Sequence, residues 1–305
     1  QRQMCIRDRY DETAHLWYFG TTSSVNTTTN IISDWTTPTN STNFLDGNYT
    51  AGVPSGFGTP RIYYSRRSGP WANVSTWSLT GHTVDNPPAA VPGPNDIVMI
   101  GNRDSVYLAT HNTNPNTGVQ NCATLMIESG SALDIGYNPD CRFAMVLSHP
   151  SGNGNFRLTT SYISGSIFSF PSGDFSDFNV NRGTTELYST NPTAGSTYYL
   201  QTGISSYGNL ILSPLGGSNL IFPKNEVTIY GNLITRGQDA DSWFVPAWGT
   251  TYPGNIQVIP KTITIMGNMD IQGGGLIWYG SSNRAQDFII HGDVKIGVYA
   301  SLHVY

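Results

Sequence analysis

The chain has 305 residues, of which 38% are hydrophobic and only 11% are charged, and its formal net charge is −5. This composition disfavours surface helices and favours short strands joined by turns rich in Gly, Ser, Thr and Asn. The acidic balance and the lack of any Lys/Arg cluster argue against a nucleic-acid partner, and no run of about 18 apolar residues predicts insertion into a membrane.

The N-terminal part of the chain is the least regular. Residues 1–9, QRQMCIRDR, look like translated adapter sequence and are treated as an artefact, so we expect the natural N-terminus, and with it any signal peptide, to be missing. Residues 10–60 are rich in Thr and Asn and predict a β segment or the end of a preceding domain. The stretch GVPSGFGTP, residues 52–60, then predicts a linker.

Three motifs after the linker carry a family resemblance. They are YYSRRSGPWANVSTWS at 63–78, VPGPNDIVMI at 91–100 and CATLMIESGSALDI at 122–135. Together they resemble a module of secreted Bacteroidetes-type surface proteins and, more distantly, the G8-type domain. The resemblance implies export and an extracellular or cell-surface location. It also implies that a segment bearing Trp71 and Trp77 packs as the cap of a β-solenoid, although the two rings are also candidates for a ligand platform.

The cysteines leave two alternatives open. Cys5 falls in the excluded segment, and Cys122 and Cys141 are 19 residues apart, which is close to the length of one solenoid coil. Neighbouring coils lie about 4.8 Å apart, within reach of a disulfide. The pair is therefore either a bridge between two coils or two buried free thiols.

A repeated template in the second half of the chain predicts the fold. Gly-Asn or Gly-Asp stands between alternating apolar residues in four segments, 206–213, 229–237, 265–274 and 290–297, with glycines spaced by 23, 36 and 25 residues. Strands this short cannot bury their own apolar face, so successive coils must stack. The sequence predicts an all-β fold over 61–305, a right-handed parallel β-helix with almost no α-helix.

Alternation within the template assigns the inward side chains. The residues predicted to face inward are Leu210, Leu212, Leu233, Met269, Ile271, Val294 and Ile296. The glycines supply either a positive φ or a close backbone approach, and the neighbouring Asn side chains are expected to join one coil to the next. A second self-match, of 124–136 with 293–305, repeats one strand–turn–strand unit at a constant offset of 169 residues.

Two groups of residues are candidates for chemistry. Asp174 and Asp177 in SGDFSDF are three apart, and they are compatible with paired-carboxylate catalysis, a Ca²⁺ site or a structural turn, of which we favour the turn. The 36-residue interval contains an insertion at 236–257. It carries candidate glycan-binding residues, namely Asp239, Asp241, Trp243, Trp248 and Tyr252. The structural interpretation, which we favour, is that these aromatic residues cover a solenoid edge.

The remaining signals argue against catalysis. No two histidines have metal-ligand spacing, and no nucleophile, phosphate-binding or dinucleotide motif is present. We therefore expect no catalytic residues, no metal beyond the weak calcium candidate, and no other cofactor. The predicted function is a non-enzymatic scaffold or adhesin-like protein of the cell surface, whose partner is a polysaccharide or a cell-surface glycan. A carbohydrate-binding module and a polysaccharide lyase or glycoside hydrolase are the alternatives.

Overall fold

The structure is a computed structural model in which the chain divides into two compact units, Gln1–Pro60 and Arg61–Tyr305. Side chains are described for residues 60–108, 120–137, 153–160, 164–189, 196–215, 218–222, 225–237, 262–274, 287–298 and 300–302. Elsewhere only the backbone of the strands named below is described.

The first unit contains five short strands, all paired antiparallel. They are β1 (Cys5–Asp11), β2 (Leu16–Phe19), β3 (Ser24–Asn26), β4 (Ile31–Ser33) and β5 (Tyr49–Gly52). Strand β1 pairs with both β2 and β5, and β3 pairs with β4. The backbone pairing therefore includes part of the segment 1–9 that was left out of the fold prediction.

In the second unit the described strands fall into nine successive passes, each of which adds a strand to sheet A, and each pass is here called a rung. Rung one contains β6 (Ile62–Ser65), β7 (Gly69–Pro70), the 3-10 helix Val74–Thr76 and β8 (Trp77–Ser78). Rung two contains β9 (Ile97–Ile100) and β10 (Ser105–Tyr107). Rung three contains β11 (Asn121–Cys122), β12 (Thr124–Ile127) and β13 (Ala132–Asp134). Rung four contains β14 (Arg142–Ser148), β15 (Asn155–Thr159) and β16 (Ile167–Phe168). Rung five contains β17 (Ser172–Asp174), α1 (Ser176–Val180), β18 (Thr184–Tyr188) and β19 (Thr197–Leu200).

Rungs six to nine follow the same order. Rung six contains β20 (Ser206–Tyr207), β21 (Asn209–Ser213) and β22 (Asn219–Ile221), and rung seven contains β23 (Val227–Ile229), β24 (Leu233–Arg236) and β25 (Trp243–Val245). Rung eight contains β28 (Ile263–Ile265) and β29 (Met269–Trp278). Rung nine contains β30 (Phe288–Ile290), β31 (Val294–Ile296) and β32 (Ala300–Val304). A separate antiparallel hairpin, β26 (Thr251–Tyr252) with β27 (Ile256–Gln257), stands between rungs seven and eight.

Strands of successive rungs pair in parallel, which confirms the all-β prediction and its parallel sheets. Sheet A runs β7, β10, β13, β15, β18, β21, β24, the first part of β29, and β31. Sheet B runs β16, β19, β22, β25, the second part of β29, and β32. The strand that precedes sheet A belongs to sheet C (β6, β9, β12, β14, β17, with β8 and β11 paired alongside) in the early rungs, and to sheet D (β20, β23, β28, β30) in the later ones. Among these pairings, only that of β8 with β6 is antiparallel.

The core is built from the inward side chains of these sheets. Five of the residues predicted to face inward are fully or almost fully buried: Leu210, Leu212, Leu233, Met269 and Ile271. Val294 and Ile296 hold the equivalent positions of rung nine, opposite Met269 and Ile271, yet they are 46% and 51% exposed. They are exposed because no described residue covers the far side of that rung.

The glycine corners are close backbone approaches rather than positive-φ turns. A Cβ placed on Gly208 would lie 2.1 Å from the carbonyl oxygen of Gly183, in the preceding rung. At Gly231, Gly267 and Gly292 the nearest atom is the amide oxygen of an Asn in the preceding rung, at 2.2 to 2.4 Å, and a carbonyl oxygen of that rung follows at 2.6 to 3.2 Å. None of these four glycines has a positive φ. Only glycine therefore allows the rungs to stack at hydrogen-bonding distance at this corner.

The residue after each of these glycines links one rung to the next, as predicted, although it bonds to backbone rather than to another side chain. The amide oxygen of Asn209 accepts from the backbone N–H of Asn232 at 2.9 Å, and Asn232 accepts from Asn268 at 2.8 Å. Asn268 in turn accepts from the N–H of Asp293 at 2.9 Å. These four residues are called the asparagine ladder below.

The first rung is closed by aromatic packing. Trp71 and Trp77 are completely buried, with ring centroids 5.0 Å apart at 74°, and the indole N–H of Trp77 donates to the carbonyl of Trp71. Tyr63 packs edge-on against Trp77 at 6.4 Å. The two tryptophans thus form a packed corner, and neither indole is available as a ligand platform.

The internal self-match correctly identifies two strand–turn–strand units, but they occupy different corners. The earlier unit runs from β12 in sheet C to β13 in sheet A, whereas the later one runs from β31 in sheet A to β32 in sheet B. The two corners have similar sequences because each joins two short strands with the same alternation of buried side chains.

Candidate functional site

Four side chains on the outward face of sheet A converge on one another. They are Asp134, Arg157, Glu186 and Tyr188, and they are called the charged cluster here. Arg157 lies between the two acids: its Nε donates to Glu186 at 2.8 Å, and its Nη1 donates to Asp134 at 3.1 Å. The guanidinium carbon also lies 4.9 Å from the centroid of the Tyr188 ring. This is the densest group of charges among the described residues.

Parallel register places the three charged residues side by side. Asp134 of β13 is the partner of Arg157 in β15, and Arg157 is the partner of Glu186 in β18. Because side chains alternate along a strand, the buried neighbours Leu133, Phe156, Leu158, Thr185 and Leu187 point to the core and the charged residues point outward. Stacking at about 4.8 Å per rung then sets an acid, a base and an acid within contact distance.

The carboxylates of the cluster are engaged on both oxygens. Glu186 also accepts from the amide of Asn155 at 3.1 Å and from the hydroxyl of Ser213 at 3.1 Å. Asp134 also accepts from the Tyr188 hydroxyl at 2.8 Å and from the backbone N–H of Gly136 at 2.9 Å. Asp134 and Glu186 are each only 8% exposed, so the bonds replace the water that these charges give up on burial.

The electrostatics favour the charged forms of Glu186 and Arg157 and the neutral form of Tyr188. Burial works to raise the pKa of Glu186, but the charge of Arg157 and the hydrogen bonds from Arg157, Asn155 and Ser213 outweigh burial and lower that pKa. Burial also works to lower the pKa of Arg157, and the two carboxylates reverse this effect and raise it. The pKa of the Tyr188 hydroxyl is raised by burial and by Asp134. None of these groups is set up to exchange a proton near neutral pH.

The cluster therefore has the residue types of an acid–base site, but its ion pairs and hydrogen bonds join neighbouring rungs. A general acid requires a carboxyl group whose pKa is raised, and the pKa of Glu186 is lowered. A substrate would also have to displace hydrogen bonds that each carboxylate already makes. The arrangement joins rungs three, four, five and six through side chains, in addition to the backbone ladder.

A second polar cluster lies at the start of the stack and contains Ser65, His82, Asp104 and Glu128. His82 Nδ1 is 2.7 Å from the carbonyl oxygen of Ser65, so this nitrogen must carry a proton and donate. His82 Nε2 lies 3.5 Å from a carboxylate oxygen of Glu128. Burial raises the pKa of Asp104, against opposing effects of Ser65 and His82.

A serine, a histidine and two acids suggest a hydrolase triad, but their geometry does not form one. The Ser65 hydroxyl is fully buried, donates to the carbonyl of Gly101 at 3.2 Å and accepts from the N–H of Gly101 at 3.0 Å. Its neighbour on the imidazole is Nδ1, at 3.4 Å, which already donates to a carbonyl group. The imidazole is therefore not available as the base that would activate this hydroxyl. The cluster instead ties the loop that carries His82 to rungs one to three.

The structure places the first pair of predicted site residues on the surface. Asp174 ends β17 and accepts from the backbone N–H of Ser176 at 2.9 Å, while Asp177 lies in the first turn of α1, and both are exposed. The bond from Ser176 is what the structural-turn alternative requires. Among the described residues, no group of three or more His, Cys, Asp or Glu side chains is arranged to hold a metal ion. The Ca²⁺ alternative stays a prediction.

Most of the predicted glycan-binding residues fall outside the described part of the chain. This holds for Asp239, Asp241 and Trp248, and for Trp243 and Tyr252 the backbone alone is described. The backbone of Trp243–Val245 is β25, which pairs with β22 and β29, so this part of the segment 236–257 belongs to rung seven. Tyr252 lies in the separate hairpin of β26 and β27. The glycan-binding assignment stays a prediction.

Of the two alternatives for the cysteines, a bridge between coils or buried free thiols, the structure describes a free thiol at Cys122. Cys122 is buried and free, and its partner position across β11 and β14 is Phe143. Burial, reinforced by the charge of Asp96, raises the pKa of its thiol, which disfavours the reactive thiolate form. Cys141 lies outside the described residues.

Comparison of the chain with family models, with curated proteins and with solved structures finds no match. No helix in the described residues is long and apolar enough to cross a membrane.

Sequence reasoning missed both clusters because their members are far apart in the chain. Asp134, Arg157 and Glu186 are separated by 23 and 29 residues, and each stands alone among apolar or small neighbours. The sequence does contain a signal for the charged cluster, namely a single charged residue at an outward position of each of three successive strands. Aligning these residues requires the rung boundaries, which the sequence alone does not give in this region.

The charged cluster makes stability depend on acid pH. Since the folded-state pKa of Glu186 is lowered, its contribution is present above the unfolded value of about 4.3 and is lost as the pH falls through the folded value. We expect the urea midpoint of the wild type to fall between neutral pH and about pH 3.5 more steeply than that of Glu186→Gln. Glu226→Gln, at an exposed site, is the control and should behave like the wild type. Equal slopes for wild type and Glu186→Gln would contradict the assignment.

Proposed function

We propose that residues 61–305 form a right-handed parallel β-solenoid and that the protein is a non-enzymatic scaffold or adhesin-like protein of the extracellular surface. The repeated passage through sheets A and B in parallel register supports the solenoid. Right-handedness is the expectation for parallel strands joined by crossover connections, about 98% of which are right-handed in proteins generally.

The use made of the charged cluster is the observation that carries the non-enzymatic proposal. A catalytic Asp or Glu keeps an oxygen or a proton for the substrate, whereas Asp134 and Glu186 commit both oxygens to other rungs of the same chain. The free energy of these charges thus contributes to holding the stack together. A protein whose role is to present a surface is expected to use its buried charges for stability in this way.

The extracellular location and the partner are supported by other features. The resemblance of 63–135 to a module of secreted proteins supports export. The hairpin of β26 and β27 lies outside the parallel sheets and carries Tyr252, and it follows a segment that contains Trp243 and Trp248. An element added to a regular stack is a common site of recognition. We therefore propose a polysaccharide or cell-surface glycan as the partner of an adhesive role.

A panel of neutral and uronate-containing polysaccharides tests both parts of the proposal. Incubation with the purified chain should release neither reducing ends nor unsaturated products, and turnover that disappears in Glu186→Gln would overturn the non-enzymatic assignment. Glycan binding should be lost in Trp248→Ala together with Tyr252→Ala, and it should be retained in Tyr107→Ala, an exposed tyrosine of rung two. Absence of any glycan binding would remove the partner, and labelling of intact cells that carry the gene tests the location.

A further inference from the structure

The loop that follows β8, residues 79–91, returns to rungs one to three and is called the strap here. Both of its end residues pack against the core, whereas residues 83–87 between them are all exposed. Two side chains hold this exposed part to the stack, namely His82, which contacts rungs one and three, and Asp85, which pairs with Arg66. Because Asp85 is 78% exposed, its ion pair contributes little, and His82 is the main attachment.

The two ring nitrogens of His82 have different surroundings. Nδ1 lies 2.7 Å from the carbonyl oxygen of Ser65, so this nitrogen carries a proton and donates. In the neutral imidazole Nε2 is then an acceptor, and it is buried with no hydrogen bond from any described residue. An oxygen of the Glu128 carboxylate, itself an acceptor, lies 3.5 Å from Nε2. The neutral ring therefore leaves a buried acceptor unpaired, which is unfavourable.

A proton on Nε2 of His82 removes this conflict. The nitrogen becomes a donor toward Glu128, and a hydrogen bond between two charged groups is stronger than one between neutral groups. The side chains of His82 and Glu128 are only 18% and 25% exposed, which limits screening by solvent. A Cβ on Gly101 would lie 2.5 Å from Nε2 and 2.3 Å from an oxygen of Glu128, so both groups rest directly against this glycine. The contact between the strap and rung three is therefore suited to holding a proton.

The other charged and titratable side chains that pack around the ring come from rungs one and two and from the strap. Asp104, in the turn after β9, is a second carboxyl group, and its charge interacts with that of His82. Tyr64 of β6 meets the imidazole edge-on, with ring centroids 5.2 Å apart. Arg66 is engaged by Asp85 of the strap itself. Together with the carboxylate of rung three, these groups give the imidazole acidic surroundings.

We propose that the strap is a pH-sensitive latch, in which a proton bound between His82 and Glu128 closes the strap on rung three and loss of that proton loosens it. Histidine side chains change charge between about pH 5 and pH 8, so the latch closes as the pH falls through that range. Beneath His82 lies Tyr64, the first member of an outward row that continues in register with Met99 and Met126. Loosening of the strap uncovers the edge of this half-buried apolar row. The latch does not depend on the proposed adhesive role, so either proposal can fail without the other.

Amide hydrogen exchange of the full chain at pH 5.5 and pH 8.0, corrected for the intrinsic effect of pH on exchange, tests the proposal. The backbone N–H groups of Leu79, Val84 and Asn86 donate to carbonyl groups within the strap. Their protection should be roughly tenfold higher at pH 5.5, the change expected for one charge-assisted hydrogen bond at a partly exposed site. Protection that is equal at the two pH values, or higher at pH 8.0, overturns the proposal.

Two variants separate the latch from a purely structural contact. His82→Gln and Glu128→Gln each remove one of the two groups that share the proton, so protection of the strap should become nearly equal at the two pH values. His291→Gln, at an exposed histidine of rung nine, and Asp85→Asn, at the exposed ion pair, are the controls and should keep the difference. A tenfold effect of pH that survives either substitution at the latch overturns the proposal.

The nitrogen chemical shifts of the His82 ring supply a readout that needs no variant. At pH 8.0 the shifts should show a protonated Nδ1 and a bare Nε2, and at pH 5.5 both nitrogens should be protonated. A bare Nδ1 at pH 8.0, or an Nε2 that is still unprotonated at pH 5.5, contradicts the latch.

Discussion

Replacing Gly208 by alanine should destabilise the protein by about 4 kcal/mol, which is unusually large for the addition of one methyl group. The new Cβ would lie 2.1 Å from the carbonyl oxygen and 2.7 Å from the nitrogen of Gly183. Both atoms are backbone atoms of the neighbouring rung and have no rotamer by which to move. The rungs must separate, which lengthens the hydrogen bond from the N–H of Asn209 to Gly183 and strains the pairing of β18 with β21.

Thermal unfolding followed by far-ultraviolet circular dichroism measures this effect. For a unit of this size, a loss of about 4 kcal/mol corresponds to a fall in Tm of roughly 10 °C. Gly93→Ala is the matched control, because a Cβ there meets only the Asp96 carboxylate at 3.6 Å, an ordinary contact, and the backbone φ is not positive. It should leave Tm nearly unchanged. If the two variants unfold together, the close approach at the Gly208 corner is wrong.

The second large effect should come from removing the base of the charged cluster. Arg157→Met keeps much of the aliphatic stem but leaves the buried carboxylates of Asp134 and Glu186 without their counter-charge. Breaking a fully buried pair costs about 3 to 5 kcal/mol, and because the Arg157 side chain is 34% exposed we expect about 2 to 3 kcal/mol. Urea denaturation at neutral pH measures the loss of unfolding free energy.

Acidification distinguishes this mechanism from a loss of packing. Protonation relieves the uncompensated carboxylates of Arg157→Met, so the gap between wild type and variant should narrow as the pH falls below about 4.3. Arg236→Met serves as the control: Arg236 is exposed on the same face of sheet A and donates to the neutral side chain of Gln272 at 3.2 Å. It should cost less than about 0.5 kcal/mol. A gap for Arg157→Met that stays constant with pH would indicate lost packing alone.

The stacking was predictable because its determinants are local and repeated. The glycine and asparagine of each corner are adjacent in the sequence, and the alternation of Leu210 with Leu212, or of Met269 with Ile271, needs only a period of two. These features fix strand direction and inward face without knowledge of distant residues. The prediction that asparagine side chains join the rungs was correct because the corners repeat at nearly the same place in each rung.

The outer face was not predictable, because its contacts depend on the length of every rung. Asp134 meets Arg157 only if the residues between them bring both side chains to the same register position. Because the number of residues per rung varies, the sequence does not show which positions of neighbouring rungs lie side by side. His82 and Glu128 are 46 residues apart and meet only because the loop after β8 returns to rung three. The exposure of Val294 and Ile296 escaped prediction for another reason, since periodicity assigns an inward direction but not the presence of a neighbouring rung.

The hydrogen bonds of the asparagine ladder point from rung to rung, in the same direction as those of sheets A and B. A pulling force along that axis would act on the rung interfaces in series, so the weakest interface would open first and the others would stay closed until it had lengthened. A force across the axis would instead be shared by several strands at once. The protein should therefore yield stepwise when stretched along the stack and resist shear across it.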